Sequence, residues 1–69
     1  MDAIEKEFKS RKNDIEKSLV SLFEKNMKIT DWDIPEADDQ KAAQILVNIL
    51  SNKLDKIKTD VKNGKYKNY

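Results

Sequence analysis

The chain has 69 residues, which is enough for one domain. It contains no cysteine and no histidine, so disulfide bonds are excluded and zinc, copper and iron sites lose their usual ligands. Charged residues make up 39% of the chain but the net charge is only +1, so no bulk charge draws the whole molecule to nucleic acid or lipid. A chain this short has a small core, and association with another chain is the remaining way to stabilise it.

The first predicted helix spans residues 2–27. Asp2 and Glu5 form a D-x-x-E start, which is close to the capping-box pattern. No glycine or proline interrupts the stretch that follows. Apolar residues recur there at helical spacing and form one stripe, made of Ile4, Phe8, Ile15, Leu19 and Leu22.

Residues 28–34 are predicted to form the loop between two helices. Pro35 cannot continue a helix from upstream, and it biases the preceding residue away from helical geometry. Asp33 and Glu36 form a second D-x-x-E start, so the second helix is predicted to begin at residue 35. Trp32 has two interpretations: a hydrophobic staple packed on Ala37, or an exposed aromatic that binds a partner.

The second predicted helix spans residues 35–63. Its apolar residues are separated by alternating steps of four and three and form a seam that suits packing against another helix, made of Ala43, Val47, Leu50, Leu54, Ile57 and Val61. Gly64 is placed to end this helix, because glycine is the preferred residue after the last turn. Residues 64–69 are expected to fray.

Together these elements predict an all-α fold, an antiparallel two-helix hairpin. The two stripes can be aligned so that Phe8 faces Ile57 and Leu19 faces Leu46. That register puts the centre of the turn at about residue 32 or 33, inside the predicted loop.

Apolar side chains remain that one hairpin seam does not use. Val20, Phe23 and Met27 form a second stripe on the first helix, and Ala42, Ile45 and Ile49 form one on the second. Exposed apolar patches of this kind usually mark an interface, so we expect a homodimer, most simply a four-helix bundle. The alternative is that rotation of a helix turns part of one stripe inward. The predicted protein interface is Val20, Phe23, Met27, Trp32, Ala42, Ile45 and Ile49.

The acidic loop does not have the pattern of a metal site. Counting Asp31 as the first position of a calcium-binding EF-hand loop puts Glu36 where glycine is needed and Ala42 where the bidentate glutamate belongs. Acids that cap and stabilise a helix start account for the cluster better, with docking of a basic partner as an alternative. Because no histidine or cysteine is available as base or nucleophile, we expect no enzyme activity, no metal, no cofactor and no small-molecule substrate.

The C-terminal end interleaves lysines with tyrosines. Lysines on phosphates and tyrosines stacked on bases would suit single-stranded nucleic acid. An alternative function is therefore a nucleic-acid-binding regulator, and the residues that would carry it are Lys62, Lys65, Tyr66, Lys67 and Tyr69. The other interpretation of this end is a frayed, solubilising terminus.

The function expected from these features is a non-enzymatic protein-protein interaction module. It would bind itself and another protein through an exposed apolar helical surface, as a small adaptor, inhibitor, scaffold or regulator. The longest uninterrupted apolar run, Ile45 to Val47, is far shorter than a signal peptide or a membrane span needs. We therefore expect a cytoplasmic protein.

Overall fold

The computed structural model describes residues 2–36 and 38–69. Two helices pack against each other as a hairpin, α1 at Ala3–Asp33 and α2 at Asp39–Lys62, and no strand occurs within the described residues. The hairpin is elongated, with extents of 49 × 27 × 17 Å. The predicted all-helical hairpin is therefore confirmed.

Helix α1 begins as predicted and ends later than predicted. The Asp2 carboxylate accepts a hydrogen bond from the Glu5 backbone N–H at 2.8 Å, which satisfies one of the free N–H groups of the first turn. The helix then continues through residues 28–33, which the sequence predicts as loop. This segment contains neither glycine nor proline, and the helix stops only at Ile34, directly before Pro35.

Helix α2 correspondingly begins four residues later than predicted, at Asp39 instead of residue 35. Its N-cap is Asp38, whose carboxylate accepts hydrogen bonds from the backbone N–H groups of Gln40 at 3.0 Å and Lys41 at 3.2 Å. Asp33, the cap expected from sequence, is instead the last residue of α1. The predicted staple between Trp32 and Ala37 lies partly outside the described residues.

A glycine terminates helix α2, as predicted. Gly64 has φ +83°, and it donates a backbone hydrogen bond to Val61 while Lys65 donates one to Asp60. This pair of bonds is the Schellman motif, in which a left-handed residue closes the last helical turn. In the tail that is expected to fray, further hydrogen-bonded turns run from Lys67 to Gly64 and from Tyr69 to Tyr66.

The two helices cover each other mainly in the half of the hairpin next to the turn. The apolar side chains that become half-buried there are Phe23, Met27, Ala42, Ala43, Leu46 and Leu50. Leu19 and Leu22, predicted for the seam, remain exposed. The alternative of a rotated helix is thus what the structure has: Phe23 and Met27 from the second stripe of α1 turn toward α2.

The predicted register is wrong by about one heptad. Helix α1 ends at Asp33 and α2 begins at Asp39, so the turn is centred near residue 36 instead of residue 32 or 33. In agreement with this, Phe23 and Leu50 line one groove between the helices, and Thr30 and Ala42 line another. Each α1 residue therefore faces an α2 residue about seven positions further along the chain than expected. Because a heptad seam repeats every seven residues, both registers present the same kind of stripe, and the later turn selects between them.

Candidate protein-binding surface

No hydrophobic side chain in residues 2–36 and 38–69 is fully buried. The half-buried seam between α1 and α2 is the nearest the hairpin has to a core. Polar groups in the seam find partners within their own helix: the Asn26 amide donates to the Leu22 carbonyl oxygen at 2.8 Å, and the Thr30 hydroxyl donates to the Asn26 carbonyl oxygen at 3.0 Å. The remaining apolar surface is left to solvent on both sides of the seam.

One apolar groove, called here the turn groove, lies between the helices next to the turn. It has a volume of about 610 Å³ and is lined by Asn26, Ile29, Thr30, Ile34, Asp38, Lys41, Ala42, Ile45, Leu46 and Ile49. Ile45 is 51% exposed and Ile49 is 58% exposed, although they are among its largest apolar side chains. Six of the ten lining residues are apolar, so the groove exposes mainly apolar side-chain surface to solvent.

A second groove, called here the open groove, lies further from the turn. It has a volume of about 580 Å³ and is lined by Leu19, Val20, Phe23, Val47, Leu50, Ser51, Lys53, Leu54 and Ile57. It shares no lining residue with the turn groove. At about 100° per residue, Val47 and Leu54 project from one side of the Leu46–Leu50 line and Ile45 and Ile49 from the other. The two grooves therefore open on opposite faces of the hairpin.

The predicted interface residues are distributed over these surfaces. Val20 and Phe23 line the open groove, and Ala42, Ile45 and Ile49 line the turn groove. Phe23 and Ala42 are half-buried between the helices, so their side chains serve the hairpin itself as well as a groove.

Met27 and Trp32 differ from the rest of the predicted interface. Met27 is half-buried and lines neither groove. Trp32 is 87% exposed in the last turn of α1 and, with Ile29 and Lys28, borders a shallow cleft on the outside of that helix. The structure therefore does not bring all of the predicted residues into one surface.

Ile29 and Ile34 line the turn groove and were missed by the sequence analysis. Both lie in residues 28–34, which the sequence predicts as loop, and a loop prediction assigns no helical face to a side chain. Ile29 comes seven residues after Leu22, and this spacing could have identified it as a continuation of the α1 stripe.

The acidic turn brings two carboxyl groups together across the hairpin. A hydrogen bond with the Asp39 carboxyl and the negative charge of that group, together with a small desolvation effect, raise the pKa of Asp31. Within the part of the chain that the structure describes, no set of three acidic side chains converges in a way that would hold a metal ion. Asp38 has a structural role there as the cap of α2.

The basic end contains an ion-pair network around Asp60. Lys56 Nζ lies 3.3 Å and Lys65 Nζ 3.4 Å from the two carboxylate oxygens of Asp60. Burial alone would raise the pKa of Asp60, but the hydrogen bonds and charges of the two lysines outweigh it and lower the pKa.

The tyrosines of the predicted nucleic-acid site contact each other. The rings of Tyr66 and Tyr69 meet edge to face with their centroids 5.4 Å apart, and Lys65 Nζ lies 5.7 Å from the Tyr66 ring centroid. Lys62 and Lys67 are exposed. Binding of nucleic acid by this end stays a prediction.

Comparison with protein-family models, with curated proteins and with solved structures finds no match to this chain. The fold and the two grooves define its class: a helical hairpin with a half-buried seam and uncovered apolar faces. In the described residues no helix is both long and apolar enough to cross a bilayer.

Proposed function

We propose that this chain is a non-enzymatic helical module that acts by binding protein, including a second copy of itself, through its uncovered apolar faces. One observation carries the proposal: the described residues include many large apolar side chains, and none of them is fully buried. Apolar burial is the main favourable term in folding, at about 25 cal/mol per Å², whereas ordering each residue costs roughly 1–2 kcal/mol. A lone hairpin with this little burial needs a further surface to cover its grooves.

A second copy of the chain is the simplest partner. Two hairpins that pack their apolar faces together form a four-helix bundle, in which the second copy covers the side chains of the turn groove. The exposed apolar residues on both faces are available for this contact without a change in either helix. Such a bundle is compatible with a role as adaptor, inhibitor, scaffold or regulator, and the cytoplasmic location stays a prediction.

The test compares self-association of the natural chain with that of an Ile49→Asp variant. We expect a dimer by sedimentation, and a melting temperature that rises with protein concentration because binding stabilises only the folded chain. Ile49→Asp buries a charge in the proposed interface and should dissociate the dimer and lower the helix content together. Ile49 suits this test better than Phe23, because a Phe23→Asp change would also disrupt the seam within one chain.

Lys9→Asp is the control, since Lys9 is exposed on α1 and lines neither groove. It should leave the dimer and the helix content intact. A natural chain that sediments as a monomer at micromolar concentration, with a sharp melt at a temperature independent of concentration, contradicts the proposed homodimer.

A further inference from the structure

One row of apolar side chains runs almost the whole length of α1 and is only partly covered by α2. The row consists of residues seven apart, each about half exposed: Phe8, Ile15, Leu22 and Ile29. Residues seven apart drift by only about 20° per heptad, so the row stays on one face of the helix. At its turn end, Ile29 joins the turn groove beside Ile45 and Ile49.

Helix α2 is too short to cover this row. It has 24 residues against 31 in α1, which at 1.5 Å per residue leaves about 10 Å of α1 without a facing helix. The uncovered part lies at the start of α1, where Ile4 is 70% exposed and the Phe8 ring is partnered by Arg11 at 5.6 Å. A partner must therefore reach the open end of the hairpin as well as the turn.

The row is also complementary to itself when its direction is reversed. An antiparallel copy of α1 brings Phe8 opposite Ile29 of the second copy, and Ile15 opposite its Leu22. The midpoint of the row, between residues 18 and 19, is close to the midpoint of α1. A two-fold axis there pairs the two α1 helices over their full length, as an isologous interface requires.

The two ends of the hairpin carry opposite charges, which also favours an antiparallel pairing of two copies. Residues 28–40, at the turn, carry five acidic residues against one lysine, whereas residues 51–69 carry six lysines against two aspartates. The hairpin is 49 Å long, several times the Debye length of about 8 Å, so the two clusters do not neutralise each other within one chain. Reversing a second copy brings each acidic turn beside a lysine-rich end, and symmetry does this twice.

We propose that two copies associate antiparallel, α1 against α1, with the acidic turn of each hairpin beside the lysine-rich end of the other. This arrangement rests on the homodimer proposed above and specifies its geometry. The opposite arrangement stacks turn on turn, which puts five acidic residues against five. This turn-on-turn contact would add to the repulsion that already exists between the carboxyl groups of Asp31 and Asp39 within each chain.

A distance measurement between spin labels tests the orientation. Each variant of the full chain carries one cysteine for a nitroxide label, at Glu36 in the turn or at Ser18 near the middle of α1; both residues are exposed. In the antiparallel dimer the two Glu36 labels are about 45 Å apart, the length of α1, and the two Ser18 labels are close together. In a turn-on-turn dimer both pairs of labels are within about 20 Å, since neighbouring helices pack 8–10 Å apart.

The two labels distinguish the possible failures. Short distances at both positions overturn the antiparallel orientation and leave the homodimer intact. No interchain distance at either position overturns the homodimer and this geometry with it.

Salt dependence gives a second, independent result. Between 0.05 and 0.5 M NaCl the dissociation constant of the antiparallel dimer should rise by about tenfold, because salt screens the attraction between acidic turn and lysine-rich end. A dissociation constant that falls over this range overturns the proposal, since screening strengthens a dimer whose acidic turns repel each other.

Discussion

The turn brings together two carboxyl groups that would repel each other if both were charged. Asp31 lies in the last turn of α1 and Asp39 in the first turn of α2. Asp33 lies two residues after Asp31, also in the last turn of α1. No basic residue in that turn offsets the negative end of the helix dipole. Both aspartates are therefore unfavourable for α1, but Asp31 carries the additional interaction with Asp39.

We predict that Asp31→Asn stabilises the folded chain at neutral pH. The pKa of Asp31 is raised, so the folded state binds this proton more tightly than the unfolded state does. Above its folded-state pKa the charged Asp31 carboxylate therefore destabilises the folded chain. This destabilisation is relieved as the pH falls through that pKa. The melting temperature of the variant should exceed that of the natural chain at pH 7. The difference should vanish well below pH 3.8, the ordinary pKa of the group, where Asp31 is protonated in both states.

Asp33→Asn is the matched control. It removes the same charge from the same helix end, so it reports the dipole effect without the Asp39 contact. Equal stabilisation by the two variants at pH 7, in melts followed by circular dichroism, would contradict a specific Asp31–Asp39 interaction.

Each helix is bounded by residues that a sequence can identify, but the turn offers two competing starts for α2. Asp33 and Asp38 are both good N-cap residues, and Pro35 lies between them. The structure uses Asp38, which leaves residues 28–33 to α1 and puts Ile29 into the turn groove. The choice of cap therefore determines the length of α1 and the residues that line its groove.

We predict that Asp38→Ala costs about 1 kcal/mol of stability, because the N–H groups of Gln40 and Lys41 lose their acceptor. The measurement is urea unfolding followed by circular dichroism at one fixed protein concentration. Asp33→Ala, at the cap expected from sequence, should cost nothing. It is the matched control, since it removes the same kind of side chain five residues earlier. A larger loss with Asp33→Ala than with Asp38→Ala would place the start of α2 at the earlier position.

At the scale of the whole molecule, the hairpin is held by a seam in its turn half and is open beyond it. Phe23 and Leu50 stand near the point where the seam passes into the open groove. The register predicted from sequence would instead bring Phe8 opposite Ile57. The two registers differ by about one heptad, equivalent to roughly 10 Å along the helix axis.

We predict that a Phe23→Cys, Leu50→Cys variant forms an intramolecular link with a short bifunctional thiol reagent. The natural chain has no cysteine, so no background reaction competes. A Phe8→Cys, Ile57→Cys variant is the comparison, and it should react with two separate reagent molecules because its thiols are out of register. Mass spectrometry of dilute protein distinguishes one linked reagent from two. Efficient linking of the second pair and not of the first would restore the register expected from sequence.

Local chemistry in the sequence was sufficient for the kind and number of elements. Helical periodicity, the Asp2 cap and the Gly64 terminator act within one or two turns of chain, so α1 and α2 could be recognised without knowledge of the partner helix. The surplus of apolar residues could also be predicted, because each helix has two apolar stripes and a hairpin seam uses only one of them.

The position of the turn, the register and the inward faces were decided only by the tertiary structure. Two caps of similar strength flank Pro35, so local energies do not choose between them. A seam that repeats every seven residues looks the same after a shift of one heptad. The packing of Phe23 and Met27 toward α2 resolves both ambiguities at once: with α1 extended to Asp33, these side chains turn inward, and Ile29, Ile45 and Ile49 are left on the surface.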